Sequence, residues 1–151
     1  MIWNLSSASS FSSVNSSNAN YAGRNPDDVR VTNVDNETAS ITVSALSGNT
    51  TEMGGTATFT VVLDSQPTSD VSIAVSSSDT SEATISPSSL TFGSSNYSTL
   101  QTVTVTGVDD FYDDDNVSYT ITVDPSSSIT SYNTMTSSTI TGSNIDNDTA
   151  A

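Results

Sequence analysis

The sequence predicts an all-β chain built around a Greek-key sandwich of about seven short strands. Three observations carry this: apolar residues recur at every second position, turn residues punctuate them, and no helical period outlasts a turn. Ile41 and Val43 open the series. Ala57, Phe59, Val61 and Leu63 follow, then Val71, Ile73 and Val75, then Leu90 and Phe92. Val103 and Val105 come next, then Tyr119, Ile121 and Val123, and a last strand carries Ile140. Gly48-Asn49, Gly54-Gly55, Gln66-Pro67, Gly93, Gly107 and Asp124-Pro125 read as the turns between them. With 33% apolar residues, the core is thin and lies on one face of each strand.

An internal repeat sets the organisation. Residues 21–40 (YAGRNPDDVRVTNVDNETAS) and 132–151 (YNTMTSSTITGSNIDNDTAA) align without a gap. Tyr21 falls on Tyr132, Val29 on Ile140, Asn33 on Asn144, Asp35 on Asp146, Asn36 on Asn147 and Glu37 on Asp148, a constant offset of 111 residues. That offset is about one immunoglobulin-like sandwich. Residues 39–148 are therefore expected to form one complete unit, and 21–38 to be the closing strand and linker of a preceding one. Residues 149–151 begin the next linker. Residues 1–20, Ser/Asn-rich with Trp3, Phe11 and Val14, read as a leader or a partial strand of that preceding unit.

Composition narrows the chemistry. The chain has no Cys, His or Lys, which removes disulfides, the commonest general base, the Schiff-base amine and the usual zinc ligands. Seventeen acidic residues stand against Arg24 and Arg30, giving a formal charge of −15. Such a surface repels nucleic acid and anionic membranes and attracts divalent cations. No apolar run is long enough to span a bilayer, and the first residues lack the basic and apolar regions of a secretion signal. Ser and Thr make up 56 of the 151 residues, a bias that suits exposed strand faces outside the cell or at its surface. Ser76-Ser77-Ser78 and Ser126-Ser127-Ser128 are natural places for O-linked sugar. Seven Asn-Xaa-Ser/Thr sequons discriminate little in so hydroxyl-rich a chain.

The acids cluster. Val108 to Asn116 reads VDDFYDDDN, with five Asp between two strands; Glu52 precedes a strand, Asp79 follows one, and Asp146 and Asp148 follow the last. Antiparallel strands send alternate loops to opposite ends, so these seven candidates (Glu52, Asp79, Asp109, Asp110, Asp114, Asp146 and Asp148) are expected at one pole. Carboxylates gathered there repel unless a hard cation with six to eight oxygen ligands bridges them, which points to calcium. Two plainer readings stand beside it: a solvated acidic hairpin that guards an edge, and a linker of turn-forming Asp and Asn. Trp3, Phe11, Tyr21 and Tyr112 read as packing residues rather than a sugar-binding face, with Tyr112 over the pole.

The stretch Thr51-Glu52-Met53-Gly54-Gly55-Thr56, the Asp79 loop, Val108-Asp109-Asp110 with Asp114, and Asn144-Ile145-Asp146-Asn147-Asp148 together resemble a Calx-beta domain over residues 39–148. The resemblance implies an immunoglobulin-like sandwich and, in calcium-binding members, a metal where these loops meet the last strand. Two positions depart from the pattern: Val117 stands where an acid is expected three residues after Asp114, and the end reads Asp-Asn-Asp rather than three acids. Asp35, Asn36 and Glu37 would serve the same junction in the preceding unit.

The expected function is non-catalytic: a structural unit of an extracellular tandem array or fibre, stiffened by calcium between units. Its partners would be copies of the same module, with residues 21–32 available for strand addition to a neighbour's sheet edge. The alternative is an adhesin module that binds glycan or a cell surface. A glycosidase with paired carboxylates is the third class, and the loop placement of the acids argues against it.

Overall fold

The computed structural model describes residues 7–9, 17–20, 22, 29–32, 34 and 36–149. The chain divides into two compact units, residues 2–37 and residues from Thr38 onward. In the first, β1 (Ser7–Ser9) pairs antiparallel with β2 (Val29–Val31), placing Ser9 opposite Val29 and Ser7 opposite Val31. Trp3, Phe11, Val14, Tyr21, Arg24 and Asp35 lie outside the described residues.

The second unit is an immunoglobulin-like sandwich. Its strands are β3 (Ile41–Val43), β4 (Thr50–Thr51), β5 (Thr56–Leu63), β6 (Val71–Ser77), β7 (Ala83–Ser86), β8 (Ser89–Phe92), β9 (Gln101–Gly107), β10 (Val117–Ser127) and β11 (Ser138–Ile145). One sheet runs β4-β11-β10-β6-β8 and the other β3-β5-β9-β7. Every pairing is antiparallel except β4 with β11. The parallel pair exists because the first strand changes sheets: β3 lies against β5, and after a bend at Ser47–Gly48 the chain returns as β4 beside the exit strand. A single helical turn, α1 (Thr130–Asn133), links β10 and β11.

Alternation along the strands builds the core as expected. Phe59, Val61, Leu63, Val103 and Val105 of one sheet and Val71, Ile73, Leu90, Phe92, Tyr119, Ile121 and Val123 of the other are buried in one cluster. Ile41, Val43 and Ile140, at the sheet margins, are only partly buried. Tyr132, the partner of Tyr21 in the repeat, is buried, and its hydroxyl donates to Ser65 O at 3.0 Å, tying the β10–β11 connection to the β5–β6 loop.

Two expectations need correction. Asp124-Pro125 is no turn: β10 runs straight through it, with Pro125 opposite Ile73. Proline is tolerated there because β11 pairs with β10 only up to Val123, so beyond that point one side of β10 needs no N–H. The strand total also exceeds seven, since β4 and β7 are too short to show a sequence period.

Two glycines set the turns near the exit. Gly54, at φ +78°, makes the tight β4–β5 turn. At Gly107 an added Cβ would lie 2.2 Å from Thr51 O and 2.4 Å from Asn144 Oδ1. Neither neighbour is free to move, one being backbone and the other a buried amide. Gly107→Ala is therefore expected to lower stability by about 1–3 kcal/mol in urea unfolding. Gly48→Ala, where nothing lies within 4 Å, should change it by less than about 0.5 kcal/mol.

Candidate metal centre

The end of the sandwich where β11 leaves is assembled by backbone hydrogen bonds between elements distant in sequence. Glu52 N donates to Ile145 O, Gly107 N to Gly55 O, and Val108 N to Glu82 O. These bonds bring the β4–β5 turn, the start of β7, the acidic loop after β9 and the tail of β11 to one pole. Beneath them runs a buried polar chain. Asn144, 1% exposed, donates from Nδ2 to Val108 O at 2.9 Å and to Glu82 Oε2 at 3.4 Å, while its Oδ1 accepts from Thr50 Oγ1 at 3.0 Å. Thr50 Oγ1 also lies 3.1 Å from the buried Tyr119 hydroxyl.

Two groups of carboxylates sit on this base. Glu52, Asp146 and Asp148 place one oxygen each within 4.8 Å of one another, and so do Glu82, Asp110 and Asp114. Glu52, 2% exposed, is held by Asn147, whose backbone N–H and Nδ2 donate to its Oε2 at 3.0 and 3.2 Å. Asn147 Nδ2 also reaches Asp109 Oδ1 at 3.3 Å, which sets Asp109 beside the first group. Asp146 accepts at Oδ1 from Asp148 N at 2.7 Å, and Asp146 N donates to Asn116 Oδ1 at 3.1 Å. Asp148 Oδ2 is buried and has no hydrogen-bond partner among the described residues.

Of the seven residues named from the sequence, five lie in the two groups and Asp109 adjoins them. Asp79 falls in neither group, though its charge acts on Glu82: its carboxylate accepts from the backbone N and the hydroxyl of Ser81, and its carbonyl accepts from Ala83 N. Asp79 thus shapes the turn whose last residue, Glu82, turns its carboxylate into the pole at 6% exposure. Glu82 shows no signal in the sequence because it immediately precedes β7, a four-residue strand too short to show a period of two. Tyr112 does not pack over the pole. It is 73% exposed, as is neighbouring Phe111 at 92%, because the loop backbone is folded on itself by Asp110 Oδ1 accepting from Tyr112 N. At the equivalent place in the first unit, Asn36 and Glu37 are exposed and Asp35 is not described.

Residues 38–151 contain no Lys, Arg or His, so no side chain of the sandwich can neutralise the pole. The protonation equilibria reflect this. For Glu52 the Asn147 amide hydrogen bond favours the charged form, but burial and the Asp146 and Asp110 charges outweigh it and raise its pKa. Burial foremost, then neighbouring acids, pushes Asp114 and Asp148 up; for Glu82 burial raises, the Asn144 hydrogen bond partly offsets, and Asp114 adds to the rise. Asp79 goes the other way, lowered by the Ser81 hydroxyl and amide. All-oxygen groups of this kind suit a hard cation. Glu52, Asp146 and Asp148 could hold one and Glu82, Asp110 and Asp114 another, with water completing six to eight ligands for calcium.

No family model and no curated protein matches this chain. Solved structures with a similar backbone include SSP-19, an MSP-domain protein of Caenorhabditis elegans, at 14% identity and TM-score 0.44, covering 66% of this chain and 92% of that one. The E. coli chaperone DraB aligns at 10% identity and TM-score 0.48 over 74% of this chain and 57% of its own. The seventh PapD-like (ASH) domain of human CEP192 aligns at 18% identity and TM-score 0.46 over 78% and 94%.

The pKa directions fix a sign. Where a folded carboxylate's pKa is raised, the fold binds protons more tightly than the unfolded chain, and stability falls as pH rises through the folded value. Four groups act this way above the ordinary values of 4.5 for Glu and 3.8 for Asp, and Asp79 alone opposes them. In EDTA, the urea midpoint is expected to be higher near pH 5 than at pH 7. A midpoint that climbs over that range would contradict the crowding of these carboxylates.

Proposed function

We propose that this chain is a structural unit of an extracellular tandem-repeat array or fibre, of the Calx-beta kind, in which calcium at the exit pole stiffens the joint to the next unit. The observation that carries the reading is Asp148 Oδ2. A carboxylate oxygen shielded from water, without a donor and beside two further acids, is costly in a body that contains no cation. A divalent ion supplies the missing positive partner.

The placement supports a joint rather than an isolated site. Asp146 and Asp148 lie on the segment that leaves the sandwich, while Glu52 belongs to its first turns, so an ion held between them ties the outgoing chain to the body. The sequence repeat places Asp35, Asn36 and Glu37 at the same point of the preceding unit. Strand pairing adds to this. β1 and β2 pair antiparallel, as β10 and β11 do, though one residue out of step with the 111-residue offset: Ser9, opposite Val29, falls on Thr120, whereas Ile121 faces Ile140. A linker this short leaves little slack between units. Ser76, Ser78, Ser126 and Ser128 are exposed, as O-glycosylation in such a fibre requires.

Thermal melting tests the reading directly. A ligand that binds only the folded state stabilises it by RT ln(1 + [L]/Kd), about 2.7 kcal/mol at a hundredfold excess, or on the order of 10 °C in Tm for a domain of this size. Calcium is expected to raise Tm by that order and EDTA to remove the gain. Asp148→Asn should reduce the calcium shift without lowering Tm in EDTA, whereas Asp124→Asn, remote from the pole, should keep it whole. A Tm indifferent to both calcium and EDTA rules the metal joint out.

A further inference from the structure

Five large hydrophobic side chains are exposed among the described residues: Val34, Met53, Leu100, Phe111 and Tyr112. Met53 lies in the β4–β5 turn and Phe111 and Tyr112 in the acidic loop, so three of the five stand on the exit pole. Leu100 stands at the opposite end. It immediately precedes β9, whose first residue, Gln101, pairs with Val61 near the end of β5, where Leu63 faces Ile41 of the incoming β3. Val34 falls on Ile145 at the 111-residue offset, so it too belongs to an exit segment. No strand of the sandwich exposes such a residue on its outer face. Exposed apolar groups scattered singly are ordinary, whereas groups gathered in one place mark a contact surface.

The aromatic tip of the acidic loop is tied to the outgoing segment on both sides. Asn147 Nδ2 donates to Asp109 Oδ1 at 3.3 Å before the tip, and Asp146 N donates to Asn116 Oδ1 at 3.1 Å after it. What the tip meets is set by the length of chain that follows an exit motif, and the repeat gives that length. From Asp35, the counterpart of Asp146, to Ile41, the first residue of β3, is six residues, at most about 22 Å when fully extended. A strand as long as β10, with eleven residues, spans about 36 Å. The spacer is too short to carry the chain back along a unit. In an array, the end that bears Leu100 therefore comes to lie at the exit pole of the unit before it.

We infer that Phe111 and Tyr112, with Met53 of the same pole, dock on the Leu100 end of another copy of the unit. The inference rests on the array reading above and names the surface that completes its joint. The receiving end carries two acids, Asp64 just after β5 and Asp70 just before β6, and Asp64 accepts from the Ser40 and Thr42 hydroxyls. Two acidic ends thus approach each other, and bare carboxylates on the exit pole oppose the contact. Calcium at the pole removes that opposition, and the aromatic rings then supply buried apolar area. The two ends are different surfaces of one unit, so the contact is heterologous and repeats head to tail. A short spacer holds the ends together at an effective concentration in the millimolar range, so a contact too weak to join free chains in dilute solution suffices.

The chain has no cysteine, so single introduced cysteines report the contact in the full-length protein. Asp113, outside both carboxylate groups, and Thr99, beside Leu100, are exposed, as is the control position Ser76 on the outer face of β6. With calcium and protein in the millimolar range, Asp113→Cys mixed with Thr99→Cys under mild oxidation is expected to give about tenfold more mixed disulfide dimers than Asp113→Cys mixed with Ser76→Cys. EDTA should bring the yield to that control level. Adding Phe111→Ser to the Asp113→Cys chain should do the same while leaving its calcium shift in Tm whole, since Phe111 is exposed and holds no ion. Control-level yields in calcium overturn the contact, and so does a predominance of Asp113→Cys homodimers, which places two exit poles together. Calcium-dependent binding of the unmodified chain to phosphatidylserine vesicles, lost in Phe111→Ser, assigns the tip to a membrane and overturns it as well. Control-level crosslinking in chains that keep the calcium shift rejects this contact alone; loss of both rejects the array reading with it.

Discussion

Strand β11 leaves the sandwich between Glu52 and the acidic loop, and the organisation of the pole follows from how it is held there. Asn144 anchors it from below, reaching Val108 O and Glu82 with one end of its amide and Thr50 with the other. Asn147 anchors it from above through Glu52 and Asp109. Between these two amides the strand lays down Asp146 and Asp148. Neutral amides can bring carboxylates together but cannot neutralise them, so the pole is geometrically closed and electrostatically open. That combination is the basis of the proposed cation site.

The change of sheet by the first strand explains both the pole and the open side. Had β3 continued along β5, Glu52 would not reach the exit strand. By crossing over as β4 it pairs in parallel with Asn144 and Ile145, which sets Glu52 against Asn147. The same crossing leaves the rest of β11 without a strand on its outer side. A two-residue strand is enough to build one end of the edge and too short to cover the other.

Much of the fold was legible because its cause is local. A period of two with small turn residues forces half-buried strands, and each predicted inward residue from Ala57 to Val123 is buried. The exceptions have local rules overridden by pairing. Asp124-Pro125 has turn chemistry, yet it sits where β10 has lost one neighbour and tolerates a proline. β4 and β7 are two and four residues long, and so short a strand is defined by what it pairs with rather than by its own pattern.

For the pole, the sequence by itself determined that many acids and no cations share one sandwich, that they cluster at strand ends, and that the exit motif recurs 111 residues apart. These are properties of composition and spacing, which survive without coordinates. Tertiary structure alone decided which acids meet. It set Asp79 aside to build a turn with Ser81, turned Glu82 inward in its place, and split the acids into two groups sharing the Asn144 base. The reason is physical. A side chain's direction at the end of a strand depends on the hydrogen bonds that neighbouring elements make to its backbone, and those neighbours lie dozens of residues away.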